Sequence, residues 1–218
     1  MESHGCISDS ILRKGYEQIK QYRNSTSFFK REVVSRCGSL AILPFSIIGS
    51  ALDSLAEIVV KLASLGTLGM HKWSYPRIKH YAHAKHAEAL APTIYITLLC
   101  VLNPRAKLDH PDGNALITSF VTGKLESLAS VHAASDNLLK RYVTSRLTYA
   151  LLAPSQIITR TADAIIGIGA VFYSFLKLGT DEKVNTFAAN QLQLFTCIPD
   201  FIVYTTYAIN PWTEVFKE

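Results

Sequence analysis

Charge is scarce in this chain. Asp, Glu, Lys and Arg make up only 18% of its 218 residues, below the quarter usual for soluble domains, while 49% are hydrophobic. That balance excludes a tail held open by its own repulsion. Cysteine is sparse too. Cys6, Cys37, Cys100 and Cys197 lie far apart with no C-x-x-C pair, which argues against a disulfide frame and reads as free, buried thiols from a reducing compartment. No run of Lys and Arg exceeds two residues, and no RNP, KH or zinc-finger pattern occurs, so no nucleic-acid partner is expected.

Catalytic signatures are missing as well. The chain has no G-x-S-x-G, P-loop, G-x-G-x-x-G or H-E-x-x-H, and it nominates no catalytic residue, cofactor or metal site. "GIGAVF" (Gly167–Phe172) lies in an apolar helical pattern with no strand before it. "KHYAHAKHAEAL" carries His80, His83 and His86. A pair at i,i+3 can share a metal, but the third histidine points elsewhere, so the stretch reads as a wet helix face. The polar N-terminus, "MESHGCISDSILRKGYEQIK", lacks the apolar core of a secretory signal.

Long hydrophobic runs are also missing. The longest uncharged stretches are 16 residues, Cys37–Leu52, Ala89–Pro104 and Val184–Pro199, and each contains proline. A spanning helix needs about 20 mostly apolar residues. Leu40–Leu65 reaches that length only by including Asp53, Glu57 and Lys61. In a helix over Ser46–Leu65, positions 46, 50, 53, 54, 57, 61 and 64 are polar, and positions 47, 48, 51, 52, 55, 58, 59, 62 and 65 are apolar. This 3.6-residue period predicts a long amphipathic helix with one buried face and one wet face. It suits a globular bundle or the plane of a membrane interface better than a lone span.

What the chain does have is a second statement of itself. Phe28–Gly69 aligns with Leu138–Gly179 at a constant offset of 110, with 13 of 42 positions identical. The matches include Lys30/Lys140, Arg31/Arg141, Arg36/Arg146, Pro44/Pro154, Asp53/Asp163, Ser64/Ser174 and Gly69/Gly179. After a slip of three residues, "PTIYITLLCVLNP" (Pro92–Pro104) meets "PDFIVYTTYAINP" (Pro199–Pro211). The kept prolines and glycines are punctuation rather than composition, so the expected fold is all-α, with two tandem pseudo-symmetric helical repeats of about 100 residues built from long amphipathic helices. Residues 1–106 form the first repeat, 107–114 ("KLDHPDGN") a linker rich in turn residues, and 115–218 the second. Each repeat opens with a helix near Asp9–Tyr22 or Leu116–Ala133. A long helix passes Pro44 or Pro154 and stops at a left-handed Gly69 or Gly179. A polar connection follows ("MHKWSYPRIK" or "TDEKVN"), then a helix ending at Asn-Pro. In the second long helix Arg160, Asp163, Ser174 and Lys177 mark the wet face, and Gly167 and Gly169 suggest close helix packing.

The retained charges are the candidate site residues. Arg36 and Asp53 lie too far apart to pair on one straight helix, as do Arg146 and Asp163. One reading pairs them across the repeats, Arg36 with Asp163 and Arg146 with Asp53, fixing register more than adding stability. The other leaves both aspartates on wet faces. Lys30, Arg31, Lys140 and Arg141 flank the apolar helices as membrane-flanking cations. A net charge of +5 and a pI near 9.0 suit an anionic surface.

The pattern of two apolar residues before Lys-Arg, an apolar stretch with Pro, "II…D", "LG" and a helix ending in Asn-Pro resembles duplicated-helix hypothetical proteins of chlamydiae and their relatives. The residues that carry it are Lys30, Arg31, Pro44, Asp53, Gly69, Asn103 and Pro104, with their copies. More distantly the chain is similar to inclusion-membrane proteins, which have two close apolar lobes. The resemblance implies an intracellular bacterium and a host-facing role, in the bacterial cytoplasm or secreted, with no functional residues carried over. Three functions follow as expectations: a non-enzymatic protein that associates with a membrane surface or a protein partner, a soluble α-bundle holding an apolar ligand or partner helix, and an enzyme of unrecognised type. The first two are distinguished by whether the apolar faces are consumed inside the fold.

Overall fold

The computed structural model describes residues 7–70, 76–83, 90–106 and 115–213; the 107–114 linker and His86 lie outside them. The described residues are helical, without strands. In chain order they form α1 (Ile7–Arg23), α2 (Ser35–Gly66), α3 (Pro76–His83), α4 (Leu90–Leu102), α5 (Leu116–Ala133), α6 (Ser145–Leu176), α7 (Glu182–Gln191) and α8 (Cys197–Ile209).

The two long helices are built alike. Each has 32 residues, with Pro44 or Pro154 inside it. Each continues from a five-residue π-helical turn, Lys30–Val34 or Lys140–Thr144. The prolines sit within continuous helix, where each removes one backbone donor. Both helices stop in the same way. Leu68 and Gly69 have φ of 53° and 69°, and Leu178 and Gly179 have 50° and 64°. The Gly69 and Gly179 amides donate back to Ser64 O and Ser174 O at 2.9 Å, a left-handed cap that closes orphan carbonyls of the last turn. The leucine before each glycine takes the left-handed conformation despite its Cβ, at a cost of about 1–2 kcal/mol.

The expected polar connection "TDEKVN" is instead the start of α7. Asp181 caps it, accepting from the Lys183 and Val184 amides at 3.1 and 3.2 Å, as an N-cap aspartate does. Gly167 is in close contact, since an added Cβ would lie 2.9 Å from Gln191 Cβ. Gly169 faces open space, so only one of the two glycines serves packing.

Helix directions follow from the contacts. α8 runs antiparallel to α6, with the Tyr149 ring 5.3 Å from Tyr207 and Arg160 bonded to Asp200. It runs parallel to α2, because Ile198 and Phe201 face Ile58 and Leu62 while Asn210 reaches Leu68. Helices α2 and α6 therefore point in opposite directions.

The burial pattern inverts the sequence expectation. The buried residues of α2 are Ser35, Ser39, Ser46, Gly49, Asp53, Ser54, Glu57, Lys61 and Ser64. Its apolar face carries Leu40, Phe45, Ile48, Leu52, Leu55, Val59 and Leu62, all exposed. On α6, Arg160, Asp163 and Ser174 are buried, while Ile157, Ile158, Ile165, Ile168, Phe172 and Leu176 are exposed. The face expected to be wet is inside, and the face expected to form the core is outside. Lys177 alone of the second wet-face set is exposed. Among the described residues, 24 buried polar or charged side chains stand against 18 buried apolar ones, so the interior is not a conventional hydrophobic core. Apolar packing is confined to small clusters, one around Leu152 and the tyrosines of α6 and α8, the other around Tyr95, Leu99 and α7. Of the cysteines expected to be buried, Cys100 is, Cys197 is half-buried, and Cys37 is exposed on α2.

Candidate functional site

The polar interior is a set of ties between helices. Asp53 on α2 accepts a hydrogen bond from the Tyr81 hydroxyl of α3 at 2.7 Å. One turn on, Glu57 and Lys61 form an ion pair, both side chains buried. On α6, Gln156 donates to Thr122 of α5 at 2.9 Å. Arg160 donates to Gln193 at 2.6 Å and to Asp200 of α8 at 3.1 Å. Asp163 accepts from the Ile117 and Thr118 amides, both at 2.8 Å, and so caps the start of α5 from another helix. Tyr95 of α4 donates to Ser174, which donates to Asn185 of α7, at 2.8 and 2.6 Å. A carboxylate or guanidinium taken out of water needs such partners, because an unpaired buried charge costs several kcal/mol.

The four retained charges have partners other than one another. Arg36 bonds Glu32 at 3.0 Å, and Asp163 is taken up by the α5 amides. Asp53 meets Tyr81, and Arg146 stacks on Trp212 with its guanidinium carbon 5.7 Å from the ring. The structure thus seats Arg36 and Asp163, and Arg146 and Asp53, in local contacts rather than in cross-repeat ion pairs. Both aspartates are fully buried, so neither sits on a wet face.

The flanking cations form two clusters, one beside the start of each long helix. At α2, Glu32 draws in Arg31 at 3.2 Å, Arg36 at 3.0 Å and Arg105 at 3.6 Å. Arg23 at the end of α1 donates to the Pro104 and Ala106 carbonyls. At α6, Arg141 lies 5.5 Å from the Trp212 ring and 5.6 Å from Tyr142. The two rings meet edge to face at 5.3 Å, and the Trp212 indole N–H donates to Ala133 O at 3.4 Å. Lys30 and Lys140 are exposed at the same two ends. Glu32, Arg105 and Trp212 were not singled out from the sequence; the i,i+4 spacing of Glu32 and Arg36 was the signal for the first.

Openings lie beside these ties, and two of them border α6. An apolar cleft of about 380 Å³ lies between α2, α6 and α8, lined by Ile58, Leu62, Leu65, Ile157, Ile198 and Phe201, among others. A more polar groove of about 820 Å³ lies beside Trp212, lined by Glu126, Ser127, Ser130, Tyr149 and Tyr207, among others. Among the described residues no three His, Cys, Asp or Glu side chains converge as metal ligands. His80 and His83 lie on α3.

The chain matches no protein-family model, no curated protein and no solved structure.

Proposed function

We propose that this is a membrane-inserted, non-enzymatic interaction protein, built from two copies of one helical unit set in opposite orientation. The observation that carries this reading is the inversion of α2 and α6: polar faces inside, apolar faces out. Fully burying a Leu, Ile or Phe is worth about 1.5–3 kcal/mol. The seven apolar residues of α2 are roughly half exposed, so water on that face alone forfeits on the order of 5–10 kcal/mol. That approaches the whole stability of an ordinary domain, about 5–15 kcal/mol. Lipid removes the penalty, and it also accounts for buried Asp53, Glu57, Lys61, Arg160 and Asp163. Ionisable groups on a spanning helix face the bundle interior and pair there.

Length is sufficient. Lys30–Gly66 and Lys140–Leu176 are each 37 residues of continuous helix, and Glu182–Ile209 is a third apolar stretch long enough to cross. At 1.5 Å per residue, 37 residues run about 55 Å, more than the roughly 30 Å hydrocarbon core needs, so the ends project into the headgroups. The flanking sets Lys30/Arg31 and Lys140/Arg141 then anchor opposite surfaces, because α2 and α6 point in opposite directions.

The duplication is supported by contacts that recur at the sequence offsets. Glu32 and Arg105 in one unit hold the places of Tyr142 and Trp212 in the other. Asn103 and Asn210 each bond the Leu-Gly turn of the opposite long helix, at 2.7 and 3.3 Å. With the chlamydial resemblance, the proposed bilayer belongs to an intracellular bacterium or its host.

Flotation of the full chain with neutral vesicles tests the reading. Insertion through apolar faces predicts co-flotation that survives high salt and alkaline extraction. Recovery of a monodisperse chain at the bottom of the gradient, without detergent, overturns it.

A further inference from the structure

The two cation clusters occupy equivalent positions but are not chemically equivalent. At the α2 end, the Glu32 carboxylate takes up Arg31, Arg36 and Arg105. At the α6 end, an aromatic replaces the acid: Tyr142 stands where Glu32 stands, and Trp212 stands where Arg105 does. Arg141 and Arg146 keep their charge but have ring faces in place of a carboxylate. A guanidinium on a ring face is held in place by the ring quadrupole. Its N–H fork stays available for a planar or tetrahedral oxyanion. Two such forks share one tryptophan, and Lys140 is exposed beside them.

We infer that Arg141 and Arg146, held on Trp212, bind the phosphate of an anionic phospholipid headgroup at the α6 end of the protein. The inference rests on the membrane-inserted reading above and adds a lipid class to one end of it. Tryptophan and tyrosine are favoured at headgroup level because their rings are amphipathic; Trp212 is partly exposed, and its ring is held in place by the indole N–H on Ala133 O. The groove of about 820 Å³ beside Trp212 gives room for the polar remainder of the headgroup, with Ser127, Ser130 and Glu126 as acceptors for its hydroxyls. At the α2 end the guanidiniums of Arg31, Arg36 and Arg105 are turned toward the Glu32 carboxylate rather than laid on a ring face, so the site is assigned to the α6 end.

The full chain carrying Trp73→Phe leaves Trp212 as the single tryptophan, excited selectively at the red edge of the protein absorption band. Reconstituted in mixed vesicles, it reads lipid enrichment directly. Quenching by brominated phosphatidylglycerol in unlabelled phosphatidylcholine is compared with the reverse labelling. The expected result is a preference for phosphatidylglycerol of roughly fivefold or more, since each basic residue near an anionic surface contributes about that factor. Arg141→Gln with Arg146→Gln abolishes the preference, Arg141→Lys with Arg146→Lys retains part of it, and Lys14→Gln with Lys20→Gln, two exposed lysines of α1 outside both clusters, leaves it unchanged. Equal quenching by both lipids in the parent overturns the inference, as does a preference that survives the double glutamine variant. Loss of the preference on adding inorganic phosphate at constant ionic strength also overturns it, by assigning the site to free phosphate. A chain that fails to insert into either vesicle shows no quenching at all, which marks failure of the membrane reading instead.

Discussion

Asn103 donates its side-chain amide to the Leu178 carbonyl at 2.7 Å, joining the Asn-Pro end of α4 to the turn that ends α6, 75 residues away. Asn210 does the same to Leu68 across 142 residues, at 3.3 Å. Each asparagine also closes its own turn, accepting from the Arg105 or Trp212 amide. A carbonyl left pointing out of a left-handed cap is thus answered from the other half of the chain. Replacing Asn103 with Ala removes this link, and the shorter bond predicts the larger loss. We expect about 1 kcal/mol for Asn103→Ala and less for Asn210→Ala, read as shifts in thermal unfolding of the detergent-solubilised protein.

The turns themselves store strain. Leu178 has φ of 50° and its side chain is exposed, so Leu178→Gly relieves the left-handed conformation without losing a buried contact. A gain of about 1 kcal/mol is expected. Gly179→Ala has the opposite sign, because a Cβ there lies 2.7 Å from Leu99 Cδ1 at φ of 64°. Melting temperatures that move the same way for both variants contradict this account of the turn.

Gly167 and Gly169 make a paired test on one helix. A Cβ at Gly167 meets Gln191 Cβ at 2.9 Å and its backbone carbon at 3.1 Å, so Gly167→Ala should cost about 1–3 kcal/mol by overpacking. A Cβ at Gly169 meets nothing within 4 Å, so Gly169→Ala should be neutral or stabilise by up to about 1 kcal/mol. Denaturant titration of the two variants checks the contrast.

Much of this architecture is legible in the sequence, and the part that is not has a physical reason. The long helices, their stops at Gly69 and Gly179, and the helix that ends at Asn210-Pro211 follow from periodicity, punctuation and the matching of the two halves. The polarity of "TDEKVN" disguises the start of α7 as a loop, although Asp181 followed by Glu182 is a helix-start signal. The deeper miss is which side of α2 faces in. A 3.6-residue period separates two faces of a helix, but it does not state whether water or lipid lies outside. Asp53, Glu57 and Lys61 on one stripe fit a wet surface or a polar seam equally well. The seam is decided by Tyr81, Arg160, Asp200 and the α5 amides, which come from distant segments. The cluster of Arg141, Arg146 and Trp212 is likewise assembled across about 70 residues.

Asp163 tests the seam. It is wholly buried and accepts from two backbone amides at the start of α5 that have no other acceptor among the described residues. Asp163→Ala leaves both donors unanswered, and a loss of about 3 kcal/mol is expected. The same variant should raise hydrogen exchange at Ile117 and Thr118 ahead of the rest of α5. Uniform exchange along the helix would show that the cap is not what holds its first turn.

The central claim is that lipid covers the apolar faces of α2 and α6. Single spin labels at Ile48, Leu55, Ile158 and Ile165, in a background without the four native cysteines, test it most directly. In reconstituted vesicles the account predicts high accessibility to oxygen and low accessibility to a water-soluble nickel chelate at all four positions. It also predicts the reverse at Lys30 and Lys140. Nickel accessibility at Ile48 and Ile165 equal to that at Lys30 would place those faces in water and contradict the account.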